Sequence, residues 1–212
     1  MVVNLYTLLF RRGMITVKIF LLRHGETDWH KIGRLQGHTD IPLNEEGIEQ
    51  INAVGDLVLE KGIHIDAIIS SPLLRARMSA EILAEKIGLD NRQVTIEPDF
   101  IERNFGEAEG LTREERQTMF PDGDYAGMET VEKLCNRAKN AILKHVAAHA
   151  DKTLMIAAHG SILKAILTST SNGKIAYSSG KEIIEVGKLG LLEYKNNGFE
   201  ILALNFNHAN YL

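Results

Sequence analysis

VKIFLLRHGETDW, residues 17–29, changes character halfway along. Val17 to Leu22 is a short apolar run and reads as a strand; it ends abruptly on a cation, an imidazole and a glycine, Arg23, His24 and Gly25. TLMIAAHG, residues 153–160, follows the same plan. Thr153 to Ala158 is almost wholly apolar, as expected of a parallel strand buried on both faces, and His159-Gly160 comes directly after it. A third junction closes the strand Ile65–Ser70: Ser71-Pro72 reads as an N-cap with proline at the first helical position, and Arg75 lies one turn on. In an open α/β sheet, ligands bind beyond the C-terminal ends of the parallel strands. The three junctions are therefore expected at one edge of one sheet.

Working outward, the chain alternates strand and helix patterns. Asn44 caps a helix from about Glu45 to Lys61, with Ile48, Ile51, Val54 and Val58 on one face and Gly62 as the stop. The helix after Pro72 runs to Gly88, and Val94–Glu97 is a short third strand. Residues 98–128 are rich in glycine and charge and carry no clear period. A long helix follows over Thr130–His149, and another opens just after Gly160. From Lys181 to Leu204 the pattern is extended, with Asn197-Gly198 as a hairpin turn. The expected fold class is α/β: a three-layer α/β/α sandwich around a mainly parallel, mixed sheet.

Two arginines and two histidines on one sheet edge repel one another unless an anion sits between them. Phosphate is the simplest such anion. It matches the guanidinium fork, and helix N-termini after Pro72 and Gly160 would add backbone N–H groups. Gly25 and Gly160 would let the backbone approach closely.

Composition narrows the partners. With 212 residues, 44% hydrophobic, 25% charged and a formal charge of −4, the chain fits one soluble domain and lacks the basic surface of a nucleic-acid binder. Its only cysteine, Cys135, sits in a helical run as a packing residue, so no intrachain disulfide forms and a reducing, cytoplasmic location is expected. Residues 1–13, MVVNLYTLLFRRG, have the wrong charge order for a secretory signal and are too short to span a bilayer. They read as an N-terminal extension, a start-site artefact, before a single domain over 14–212. No membrane association is expected, and the sequence carries no signal for oligomeric state.

Five stretches, LLRHGETDW (21–29), GRLQGHTDIPLNEEG (33–47), SSPLLRARMSAEIL (70–83), IERNFGEAEGLT (101–112) and AAHGSILKAIL (157–167), together resemble the histidine phosphatase superfamily, the phosphoglycerate mutase-like group. The resemblance implies a phosphoglycerate mutase-like fold and a phosphomonoester hydrolase acting on small phosphorylated metabolites through a phosphohistidine, with no cofactor and no metal. It also implies roles. His24 is the nucleophile, Arg23 and Arg75 are phosphate clamps, His159 donates to the phosphoryl oxygens, and Glu102 is the proton donor to the leaving group. His30, where the family commonly has Asn, joins Gln36, Gly37 and Gly160 in holding phosphate or substrate.

The chemistry suits these residue types. A neutral imidazole is a competent nucleophile that divides hydrolysis into two displacements. Charge on the transferring phosphoryl group can be met by two arginines and a histidine. A carboxyl group must begin protonated to act as general acid; Glu107 and Glu109 are rivals to Glu102, which is preferred for its motif position. Lys164 and Ser161 stand where the family often has arginine and glycine, and are read as a surface cation and a helix cap. Residues 103–128 are expected to form a lid or specificity segment, with Phe105, Met119, Phe120, Tyr125 and Met128 facing substrate or packing. Mutases of the family this chain resembles generally carry an insertion between the second arginine motif and the acid. The short stretch from Arg75 to Glu102 therefore implies net hydrolysis over the alternative of a cofactor-dependent phosphoglycerate mutase. The intact set of Arg23, His24, Arg75, Glu102 and His159 argues against the other alternative, a phosphate-binding regulatory module. A metallohydrolase using His24, His38 and His159 lacks a metal-binding motif.

Overall fold

The computed structural model describes residues 15–90, 93–179 and 183–206. The extension at 1–13, the start at Met14 and Lys181 lie outside the described residues. Strand β1 (Val17–Arg23) is buried at every position but Lys18. Its alternate side chains feed two separate cores. Val17, Ile19 and Leu21 join one apolar cluster, while Phe20 and Leu22 join the other. Strand β4 (Thr153–Ala158) divides in the same way, with Leu154, Ile156 and Ala158 on one side and Met155 and Ala157 on the other. Near-continuous apolar runs therefore mean burial on both faces, and the molecule is a three-layer sandwich.

One outer layer is α2 (Glu45–Glu60) with α3 (Leu74–Lys86), which set Ile51, Val54, Leu57 and Leu83 against the sheet. The other is α5 (Val131–Ala148) with α6 (Gly160–Thr170), through Leu134, Ile142, Leu163 and Ile166. A short α1 spans Asp28–Lys31, and α4 spans Arg113–Met119. With β2 (Ala67–Ser70), β3 (Val94–Ile96), β5 (Leu189–Lys195) and β6 (Gly198–Phe206), the six-stranded sheet has the order β3-β2-β4-β1-β5-β6. The first four in that order pair in parallel, and β5 pairs antiparallel with both β1 and β6, so the expected mixed sheet is present.

Several capping signals hold. Asn44 accepts from the Gly47 N–H to start α2 and Gly62 follows its end at φ +60°, while Thr130 and His149, read as the ends of the long helix, are the caps of α5. Others do not. Ser71 is not an N-cap and Pro72 is not in the helix: α3 starts at Leu74, with Leu73 as a cap that makes no side-chain bond. The hairpin turn is not Asn197-Gly198 but Asn196-Asn197, both at positive φ (53° and 59°), with Gly198 already paired to Lys195 in β6. Asparagine tolerates the left-handed region well enough to move the turn by one residue. The third strand stops at Ile96; the Glu97 N–H still donates to the Ser70 carbonyl of β2 at 2.9 Å, and Glu97 already caps the turn that starts at Pro98. The 98–128 region holds one-turn helices at Pro98–Phe100 and Gly106–Ala108, then α4, which opens with a Thr112–Glu115 capping box. Cys135 lies half-buried in α5 rather than fully in the core, and burial pushes its thiol up.

Candidate active site

Helix α2 leaves β1 toward one face of the sheet and α6 leaves β4 toward the other. A crevice must open between those two strands, and ligands bind at such switch points. The β1–β4 register sets Arg23 opposite Ala158, and the His24 N–H donates to the Ala158 carbonyl at 3.0 Å. His24 and His159 consequently lie ring against ring, centroids 5.2 Å apart and planes tilted by 58°. Ser71 joins from β2, its N–H on the Ala157 carbonyl and its Oγ 2.6 Å from His159 Nε2. The same oxygen also accepts from the Leu73 N–H at 3.3 Å, in the turn that precedes α3. Sequence reasoning missed the His159 contact, since nothing local marks Ser71 as a partner of a histidine at 159.

Each charged group is fixed. Arg23 donates from Nη1 to the Ile184 carbonyl at 3.0 Å. A Cβ on Gly160 would come 3.2 Å from the Arg23 guanidinium carbon, so that glycine seats the arginine. Gly25 makes room for a different neighbour: a Cβ there would be driven into the Gly47 carbonyl of α2. Arg75, 1% exposed, lies in the first turn of α3 and donates to the Thr39 and Gly37 carbonyls at 2.9 and 2.8 Å. Arg75 Nε and His159 Nδ1 are buried with no hydrogen-bond partner among the described residues.

Electrostatics follow from burial. Desolvation first, then the charges of Arg75 and Arg23, hold His24 well below its usual range, and His159 likewise. Both imidazoles are neutral at pH 7. A carbonyl only accepts, so the 2.7 Å contact between His24 Nδ1 and the Gly25 carbonyl makes Nδ1 the donor and leaves Nε2 with an open lone pair. Burial draws Arg75 down to about 10, against the upward pull of Glu102, Asp40 and Glu109, so it keeps its charge.

Glu102 reaches the crevice from between the one-turn helices. Its Oε1 accepts from the Arg103 and Ile162 N–H groups at 2.8 and 3.1 Å, and its Oε2 from Ser161 N–H at 3.1 Å. The first turn of α6 is therefore capped by Glu102 and not by Ser161, a correction to the sequence reading. The two rival carboxylates are elsewhere. Glu107 is exposed, while Glu109 binds the 38–39 loop, accepting from His38 N–H at 3.0 Å and from Thr39 N–H at 3.2 Å. His38 donates from Nε2 to the Glu102 carbonyl at 2.8 Å, a bracing contact rather than a metal ligand. No group of side chains able to hold a metal occurs among the described residues.

Outside the buried groups is a cavity of about 280 Å³ lined by Arg23, His24 and Arg75, with His30, Gln36, Gly37, Glu102 and Gly160, all expected from sequence. His159 lies fully buried behind His24. The cavity has further walls. Lys164 is half-buried, 5.3 Å from the Tyr177 ring, and faces the cavity instead of being a surface cation. Tyr177, Ile183 and Ile184 arrive from the connection before β5; the sequence reading made it extended from Lys181, but 183–188 run through bends and turns and the strand begins only at Leu189. Of the five apolar residues expected in a lid, only Phe105 lines the cavity. Met119 is 59% exposed, Phe120 and Tyr125 pack edge to face away from it, and Met128 pairs with Phe105 through backbone.

Comparison with known proteins agrees with this layout. Residues 19–207 match the sequence profile of the histidine phosphatase superfamily (branch 1). The chain is 42% identical over 155 residues to an uncharacterized phosphatase, PhoE, of Bacillus subtilis (strain 168), covering 73% of this chain and 78% of that one. It is 31% identical over 192 residues to a probable phosphoglycerate mutase, GpmB, of Proteus mirabilis, covering 85% and 86%. Phosphoserine phosphatase from Entamoeba histolytica, solved with 3-phosphoglyceric acid, superposes with a TM-score of 0.75 at 27% identity, covering 91% and 98%.

Proposed function

We propose the following roles for a chain that belongs to the histidine phosphatase superfamily and is a phosphatase. His24 is the nucleophile. Its Nε2 lone pair attacks phosphorus, the ester oxygen departs, and Glu102 supplies the proton that oxygen needs. Water then attacks the phosphohistidine, Glu102 takes its proton, and inorganic phosphate leaves with His24 restored. Arg23, Arg75 and His159 meet the charge on the phosphoryl oxygens throughout. No step calls for a metal or cofactor.

The observation that carries this reading is the arrangement in the crevice: two neutral, buried imidazoles in contact, flanked by two buried guanidinium groups, with Arg75 Nε and His159 Nδ1 lacking a partner. Buried polar atoms without partners are rare in native proteins; a phosphate oxygen accepts from Arg75 Nε, and from His159 Nδ1 in the tautomer that carries its proton there. His30, Gln36, Gly37 and Gly160 belong to the same phosphate and substrate site, and the wall of the 103–128 segment contributes through Phe105. A cavity of about 280 Å³ suits a small phosphorylated metabolite. Among the described residues no helix is long and apolar enough to cross a membrane. The lone Cys135 supports a cytoplasmic location.

Hydrolysis of an aryl phosphate in EDTA tests the proposal. Wild type is expected to turn over with the chelator present, and His24→Ala to lose at least about 10³-fold in kcat/KM. Full activity in His24→Ala, or abolition by EDTA, overturns it. Release of inorganic phosphate instead of transfer to a second phosphoglycerate separates hydrolysis from mutase action.

A further inference from the structure

Glu102 stands on a stretch that the sheet does not hold. After β3 ends at Ile96 the Glu97 N–H still donates to the Ser70 carbonyl of β2 at 2.9 Å, but from Pro98 to Arg103 the backbone runs without strand pairing. Its carbonyls must find donors elsewhere. Arg137, 35 positions further along in α5, provides them. Nη1 donates to the Asp99 and Ile101 carbonyls, both at 2.7 Å, and Nη2 to the Glu102 carbonyl at 3.0 Å. The remaining donors go to Glu129: Nε to Oε1 at 2.8 Å and Nη2 to Oε2 at 2.9 Å. All five guanidinium N–H groups are thus used. The pair is largely buried, with side-chain exposures of 15% for Arg137 and 8% for Glu129.

Glu129 is also bound to the same stretch. Its carbonyl accepts from Arg103 Nε at 2.8 Å and its N–H donates to the Asn104 carbonyl. Hydrogen bonds from Lys144, the Asp99 N–H and His145 overcome the upward push of burial and keep the Glu97 carboxyl below the ordinary carboxylate range. Lys144 and His145 also belong to α5. Helix α5 therefore grips the acid-bearing stretch at two places, and Arg137 is the grip that touches residue 102 itself.

We propose that Arg137, with Glu129 as its counter-charge, is the positioning residue of the general acid: it fixes the Glu102 backbone so that the carboxyl reaches the leaving oxygen. The proposal rests on the assignment of Glu102 as acid. The clamp is held by other groups: Arg23 donates to the Ile184 carbonyl, Arg75 to the Thr39 and Gly37 carbonyls, and His159 pairs with Ser71. A positional error of about 1 Å at a reacting group can lower a rate by 10²-fold. Lysine has three donors on a flexible stem and cannot reproduce the planar fork.

The dependence on leaving group gives the test. An acid matters when the departing oxygen is basic, as in an alkyl phosphate, and matters little when it is a nitrophenolate. Values of kcat/KM, which report phosphoryl transfer to the enzyme, are measured for both substrates with wild type, Glu102→Gln, Arg137→Met and Arg137→Lys. Glu102→Gln sets the reference, with an expected loss of about 10²-fold or more on the alkyl substrate and under about 10-fold on the aryl one. Arg137→Met is expected to lose about 10- to 100-fold on the alkyl substrate and less than about 3-fold on the aryl one, with Arg137→Lys in between. Equal losses on both substrates for Arg137→Met, beside a selective Glu102→Gln, overturn the proposal and leave the acid assignment standing. Unselective losses in Glu102→Gln take down the acid assignment and the proposal with it. If Arg137→Met fails to fold, Glu129→Gln, which removes the counter-charge and leaves one of the five donors facing an amide NH2, must show the same selectivity or the proposal falls.

Discussion

Arg23, His24 and His159 stand at the ends of two strands hydrogen-bonded along their whole length, whereas Glu102 stands on an irregular stretch held by side chains from a helix. The first region inherits its geometry from the sheet. A register of Arg23 opposite Ala158 leaves the two imidazoles no choice but to meet. The second region has no such ruler, and a guanidinium, a carboxylate and a helix N-terminus do the measuring instead. Electrophilic stabilisation is thereby assigned to the stiffest part of the molecule and proton delivery to a part that can be adjusted separately. Within one fold, the acid arm can change to suit another substrate without disturbing the phosphate clamp.

The sharpest way to break this contrast is to damage the clamp and look for selectivity. Arg75→Met is expected to lower kcat/KM by about 10²- to 10³-fold on aryl and alkyl phosphates alike, since phosphoryl charge is the same in both. A loss confined to alkyl substrates would erase the distinction between the regions. The next effect is on stability. Gly25→Ala forces a methyl group into the Gly47 backbone and is expected to cost about 1–3 kcal/mol, seen as a melting point lower by a few degrees. An unchanged melting point would mean that the approach of α2 to the β1 loop is soft.

The smallest effect is pH dependence. His24 and His159 are held neutral in the fold, while in the unfolded chain each binds a proton near pH 6.5. Below that value the unfolded chain takes up protons that the folded one refuses. Stability from these groups is then complete above about pH 6.5 and declines as the pH falls beneath it. The melting point should drop between pH 7 and pH 5.5, and the slope should be shallower in His159→Asn. An identical slope in that variant would place the titration elsewhere.

The clamp was far more legible in the sequence than the acid arm, for a physical reason. Apolar runs such as VKIFLL and TLMIAA announce buried strands, and the residues after them are at the sheet edge by topology alone. Three carboxylates at 102, 107 and 109 look alike in a sequence without period, and motif position chose Glu102 before any contact could. Contacts now separate them: one caps α6, one is exposed, one binds the 38–39 loop. Arg137 gave no signal, because a polar residue on an amphipathic helix is ordinarily solvated and the backbone carbonyls it binds lie 35 or more positions away. Ser71-Pro72 gave a signal, and it misled. The Ser71 hydroxyl does accept from the Leu73 N–H, but in a turn before the helix, and it also meets His159, a partner 88 positions away that nothing local announces.

The hydrogen bond from His24 Nδ1 to its neighbour's carbonyl has a consequence for chemists who wish to see the intermediate. With that nitrogen engaged, phosphorus can be carried only on the ring atom remote from the backbone, so a single regioisomer should form. Phosphoramidates of this kind survive alkali and fall apart in acid. A quench in acid would report an unmodified protein, whereas an alkaline quench followed by phosphorus resonance spectroscopy should find one signal.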